Sequence, residues 1–173
     1  DGVAINPDNP WAQYVFNVVS RYKPNGQLAR ERNFRDGQGV NVWEVWNEPD
    51  FAPFWQGGIR AYARLLKTAY IVIKTVDPSA TVLFGGLLYS SNDTWLTQTL
   101  AIFQQDRYRD DYNWYMDVVA IHSYDDPWRS AWLTLYARQG LKAYGLERPI
   151  WLNESGVSVW NDYPGPVWAN DPA

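Results

Sequence analysis

The sequence predicts an α/β fold on a parallel sheet, and three observations carry that prediction. Four short runs rich in β-branched and aromatic residues begin near positions 40, 81, 117 and 149, with the length and composition of strands. Longer stretches with apolar residues at helical spacing separate them. Strands and helices that alternate in this way give a parallel sheet with right-handed crossovers. Third, two of the runs stop at the same dipeptide, Asn47-Glu48 and Asn153-Glu154. In parallel α/β architectures the carboxyl ends of the strands are where ligands bind.

Taken in order, Asn9 followed by Pro10 reads as a helix cap with proline at the first helical position. Trp11, Tyr14, Val15, Val18, Val19 and Tyr22 then recur on one face, and the Lys23-Pro24-Asn25-Gly26 run ends the helix. A charged stretch to Gly39 reads as a solvated loop. The first strand, from Val40, is a β-branched and aromatic run that reads as buried and stops at Pro49, which cannot continue a sheet ladder. A loop with Trp55 and the Gly57-Gly58 pair leads to an amphipathic helix over about 59–76. The second strand, 81–84, is closed by Gly85-Gly86, read as turn chemistry. A third helix is capped near Asn92 or Asp93 and runs to about Phe103. Residues 104–114 show no clear period. The third strand, 117–122, is followed by Ser123-Tyr124. A helix over about 129–144 has Gly145 as its C-terminal cap. The last strand is the Glu154 run, and residues 155–173, with three prolines, read as a loop over a site or a frayed end. The whole, 1–173, is read as a single domain.

Composition narrows the function. The net charge is −4 and the sequence isoelectric point near 4.9, so no basic stripe exists to neutralise a nucleic acid. There are no cysteines, which excludes disulfides and thiolate metal sites. A single histidine disfavours a zinc site built by the protein; no metal or other cofactor is expected. No apolar run approaches the roughly 20 residues of a membrane span. The chain begins with Asp1 rather than Met, which leaves processing and export open. Eleven Trp and 12 Tyr are more than packing alone usually recruits, and flat sugar faces stack on such rings.

Trp-Asn-Glu-Pro ending a strand resembles the acid/base strand of the large clan of retaining (β/α)8-barrel glycoside hydrolases, which includes many xylosidases and glucanases. That clan carries its acid/base on strand four and its nucleophile on strand seven. Glu48 and Glu154 stand 106 positions apart, about three βα units at the roughly 30 to 35 residues per unit of a 250-residue barrel. The resemblance implies a partial TIM barrel covering about helix three to strand seven, with the first three strands and the eighth absent from this chain. The strand pattern by itself equally allows a complete four-stranded open sheet.

By the same resemblance Glu48 is the general acid/base and Glu154 the nucleophile of a double displacement. An acid of this kind has to hold its proton near neutral pH, which takes burial or a nearby negative charge. Asp50, Asp125 and Asp126 lie on the same predicted face and rank below Glu154, because they lack its strand-end placement and spacing. Asn47 matches the amide that binds the sugar 2-hydroxyl. It and Glu48 can both face the site only if the strand has ended or bulges there. His122 and Tyr124, two residues apart, point the same way and match a motif whose tyrosine contacts the nucleophile and whose histidine contacts the sugar. Glu44 would be buried and paired if its face is the barrel interior. Trp46, Trp55, Trp128 and Trp160 lie in or beside strand-end loops, where packing and sugar stacking are equally good readings; Trp55 and Trp128 are the candidate sugar platforms. The partners expected are an oligo- or polysaccharide, and either the remainder of the barrel or further copies of the chain. A non-catalytic carbohydrate-binding or structural module built from part of a barrel is the competing reading.

Overall fold

A computed structural model describes residues 5–90, 92–124 and 126–156. Helix α1 (Pro10–Tyr22) begins as its sequence requires: the Asn9 side chain accepts the N–H groups of Trp11 and Ala12 at 2.9 and 3.2 Å. It buries Ala12, Val15 and Val19 but leaves Tyr14 and Tyr22 exposed. The inward face is therefore narrower than the apolar spacing suggested.

The charged stretch read as a loop contains a short helix, α2 (Gln27–Glu31). Five residues are too few to show a period, which is why the sequence hides it. Gly26 leads into it because the chain folds tightly back there, and a Cβ would meet the Lys23 carbonyl oxygen at 2.7 Å.

Strands β1 (Val42–Asn47), β2 (Thr81–Leu87), β3 (Val118–Tyr124) and β4 (Ile150–Gly156) form one parallel sheet in sequence order. Helices α3 (Gly58–Val76), α4 (Trp95–Gln104) and α5 (Pro127–Lys142) make the three crossovers, and a 3-10 turn (Asn113–Tyr115) precedes β3. When each strand is added on the same side with the same handedness, every helix falls on the same face of the sheet. That is the winding of a barrel wall rather than of a doubly wound sheet. The main core lies between sheet and helices, around Tyr62, Leu66, Val82, Phe84, Val119 and Ile121. Leu83, Val118 and Ala120 form a separate small cluster, as the period-two alternation of β2 and β3 requires of the opposite face.

Three expected boundaries move. Helix α4 starts after Thr94, and Asn92 instead accepts the backbone N–H and hydroxyl of Thr94 just before it. Helix α5 ends at Lys142, but Gly145, at φ +70°, does close it: Leu146 donates to the Leu141 carbonyl and Gly145 to that of Lys142. Gly85 and Gly86 are not a turn. They lie inside β2, where each lets another group approach the backbone.

The outer strands also differ from expectation. β2 and β3 are buried almost throughout, whereas Val42, Trp46, Trp151 and Leu152 of β1 and β4 are exposed. Their composition suits a buried strand, but among the described residues each pairs on one side only. Unpaired edges and uncovered apolar side chains invite association. The 173-residue polypeptide on its own is therefore expected to self-associate in size-exclusion chromatography; a well-behaved, cooperatively melting monomer would show that these edges are closed.

Candidate active site

The carboxyl ends of the strands depart from regular geometry, and that departure makes the site. At the end of β1, Trp46 and, just past the strand, Glu48 take left-handed backbone angles, φ 73° and 46°. For bulky residues such angles cost about 1 to 3 kcal/mol each and persist only where surroundings hold them. Trp46 is held by its indole N–H, which donates to the Phe54 carbonyl at 3.1 Å, and by an edge contact with Trp55. Trp46 pairs with no residue of β2, but the register is kept, from Val45 opposite Phe84 to Asn47 opposite Gly86. It is the left-handed backbone at Trp46 and Glu48 that breaks the alternation where Asn47 and Glu48 need it broken. Asn47 stays exposed, while Glu48 is buried, 6% exposed.

β4 does shift register. Ile121 of β3 faces Leu152, but His122 faces Glu154, so Asn153 is an extra residue in the ladder. Asn153 then reaches across the strand ends to donate to Glu44 at 2.9 Å. Glu154 turns toward β3, where the Tyr124 hydroxyl donates to it. Its side chain remains 43% exposed.

His122 joins the two glutamates. Its ring is 1% exposed, and Nδ1 lies 2.9 Å from Glu48 Oε1 and 3.5 Å from Glu154 Oε2. One oxygen from each carboxylate and the imidazole nitrogen lie within 4.8 Å of one another. Two carboxylates and an imidazole could also close on a metal ion. The 2.9 Å contact, however, is already a hydrogen bond, and a shared proton accounts for it. The ring has its seat because Gly86 has no side chain: a Cβ there would sit 1.9 Å from Nε2.

Glu44 completes the cluster from inside the sheet. Its register opposite Leu83 puts it on the inner face. Oε1 accepts the Gly86 N–H at 2.6 Å and Oε2 the Asn153 amide. Burial pushes its carboxyl above the usual range, against the pull of His122 and of these two donors. The residue is thus hydrogen-bonded on the interior face, half-enclosed in its side chain.

Asp50 is buried, but its carboxylate accepts the backbone N–H groups of Leu88 and Tyr89 at 3.1 and 2.6 Å. It ties the loop after β1 to the end of β2, and desolvation raises its carboxyl. Arg129 adds a second tie, donating to the Leu88 carbonyl at 2.9 Å. Below them the Tyr62 hydroxyl donates to Val45 and accepts from Gly85.

Of the residues picked from sequence, the structure brings Glu48, His122, Tyr124 and Glu154 together, with Asn47 at the rim. Trp55 is half-buried against Trp46 and Tyr62, its N–H on the Gly58 carbonyl; it packs. Trp128, in the first turn of α5, is 66% exposed. Asp126 stands at the N-cap of α5, and Asp125 and Trp160 lie outside the described residues. The sequence did not reveal the parts of Gly86 and Asn153. A glycine inside a strand pattern is the signal that could have found the first, but the pair was read as a turn; nothing in the pattern marked the register shift that presents the second.

No protein-family model matches the chain. Among curated proteins, a β-xylosidase of Geobacillus stearothermophilus is 26% identical over 117 residues, 67% of this chain and 20% of that protein. Among solved structures, a GH39 β-xylosidase from Caulobacter crescentus superposes with a TM-score of 0.62 at 22% identity, over 88% of this chain and 31% of that one. A family 51 α-L-arabinofuranosidase from Bifidobacterium longum gives 0.56 at 16% identity, over 90% and 35%. The chain thus spans about a third of the length of these structures and a fifth of the curated relative. In fold the chain is a stretch of a barrel of this kind, and it is similar to the retaining (β/α)8-barrel glycoside hydrolases.

Proposed function

We propose that this chain is the part of a retaining glycoside hydrolase that carries both catalytic carboxylates, in the register of strands four to seven. The observation that carries the reading is the convergence of Glu48 and Glu154, from the first and last strands of the sheet, on one buried imidazole at the carboxyl ends. Their nearest oxygens, at most 4.8 Å apart, favour the roughly 5 to 5.5 Å separation of retaining enzymes over the 6.5 to 9.5 Å of inverting ones.

In this mechanism Glu154 attacks the anomeric carbon as the glycosidic C–O bond breaks, and the Glu48 proton goes to the departing oxygen. Water then attacks the glycosyl ester, Glu48 takes its proton, and Glu154 is released. The Tyr124 hydroxyl orients Glu154, and Asn47 at the rim reaches the sugar 2-hydroxyl. The relatives' names make a β-xyloside, as an oligomer or polysaccharide end, the first substrate to try. Exposed Trp46 and Trp128 are the rings available to stack on it, and the remaining strands of the barrel supply the rest of the pocket.

The test is product stereochemistry by proton NMR, using a polypeptide that contains residues 1–173 and the flanking strands. A β-configured first product is expected. An α-configured one would overturn the assignment.

A further inference from the structure

His122 is enclosed by three carboxylates and meets them through different atoms. Nδ1 faces Glu48 at 2.9 Å and Glu154 at 3.5 Å. Nε2 is buried, has no hydrogen-bond partner among the described residues, and lies 3.8 Å from Glu44 Oε1. β2 brings no charge to the ring, since Gly86 meets it with backbone alone and gives its N–H to Glu44. On β3 itself the titratable neighbour is Tyr124, which donates to Glu154.

Which nitrogen of an imidazole carries a proton is set by what each one faces. A bare Nε2, itself buried, would aim its lone pair at a Glu44 oxygen with no donor between them, which is repulsive and leaves a buried polar atom unpaired. A protonated Nε2 turns its N–H dipole toward that oxygen. The contact is then attractive, although 3.8 Å is too long for a hydrogen bond. Glu44 is disposed as a carboxylate here, because each of its oxygens already accepts an N–H. The ordinary alternative is a proton on Nδ1 given to Glu48, with Nε2 bare; Glu44 is what disfavours it.

We propose that Glu44 is a positioning residue that keeps a proton on His122 Nε2, so that Nδ1 and Glu48 share a single further proton between them. That proton sits either on Glu48, donated to Nδ1, or on Nδ1, donated to Glu48. Nε2 is protonated in both arrangements. The catalytic meaning rests on the glycosidase reading: the shared proton is the one Glu48 delivers to the leaving oxygen.

In a polypeptide that contains residues 1–173 and the flanking strands, labelled with 15N-histidine, the ring signals of His122, the one histidine of residues 1–173, are assigned as those missing from His122→Gln. At neutral pH the unmodified chain is expected to show Nε2 with a directly bonded, slowly exchanging proton. Glu44→Gln keeps the side-chain shape and removes the charge; the Nε2 signal should shift toward the bare-nitrogen range and its bonded proton should be lost in part. Glu48→Gln retains Glu44 and should leave Nε2 protonated. A bare Nε2 in the unmodified chain overturns the proposal, as does a Glu44→Gln spectrum with both nitrogen signals unmoved. Should Glu44→Gln fail to fold, the parent and Glu48→Gln spectra still decide. The measurement needs no turnover: a protonated Nε2 in an inactive protein upholds the role of Glu44 and counts only against the glycosidase reading.

Discussion

Glu154→Gln is expected to bring glycoside turnover in the complete barrel below detection, while Glu48→Ala leaves a substrate-dependent remnant. The two substitutions remove different things. Without the Glu154 carboxylate no glycosyl ester can form, so the double displacement has no first step. The change should not disturb the fold, because the side chain is half-exposed and a glutamine oxygen can still accept from Tyr124. Loss of Glu48 removes proton transfer, worth about 10²- to 10⁴-fold. Substrates whose leaving group needs no proton should recover most of the first step, and an added small anion should replace the base in the second. Steady-state kinetics on a poor and a good leaving group reads this directly. Equal losses on both substrates, or turnover that survives Glu154→Gln, would mean that the roles are wrongly assigned.

Gly86→Ala is expected to destabilise the fold and to move His122 out of the site. The added Cβ would lie 1.9 Å from Nε2, 2.4 Å from Cδ2 and 2.5 Å from Cε1 of the ring. No side room exists for the ring, which is buried between β2 and its neighbours. Overpacking of this kind typically costs about 1 to 3 kcal/mol and occasionally more. The backbone at Gly86 is not in the left-handed region, so the cost comes from the contact and not from a forbidden conformation. Denaturant unfolding should show a lower midpoint, and the imidazole signals should shift. Unchanged stability with an unmoved imidazole would show that the ring does not occupy the seat described.

The proposed catalytic pair was legible in the sequence for a definite reason. A strand that ends at Asn-Glu-Pro leaves its acid at a carboxyl terminus whatever the surrounding packing does, and a second Asn-Glu, two residues before the end of β4 at Gly156, nearly repeats the placement. That His122 and Tyr124 share a face followed from alternation, because residues two apart on a regular strand point the same way; their candidacy itself came from the resemblance. The order of strands and helices was equally visible, since each segment carries its own period.

What the chain could not declare is everything that depends on irregular pairing. Period-two reasoning assigns faces only while the ladder is regular, and β2 and β4 each carry an extra residue against β3 at the functional end. The presentation of Asn153 to Glu44 comes with the extra residue in β4, and the ring seat at Gly86 lies in the irregular stretch of β2. The left-handed turns at Trp46 and Glu48 are local backbone departures with the β1 register intact. Burial escaped for a different reason. β1 and β4 read as interior strands because their side chains are apolar, yet a strand is buried by its neighbours, and whether a neighbour lies beside it is decided by the fold and not by the strand. The sequence by itself determined which acids stand at the strand ends and what alternates with what. The tertiary structure alone decided that three carboxylates meet one imidazole, because that meeting requires groups more than a hundred residues apart to be brought into register by the sheet.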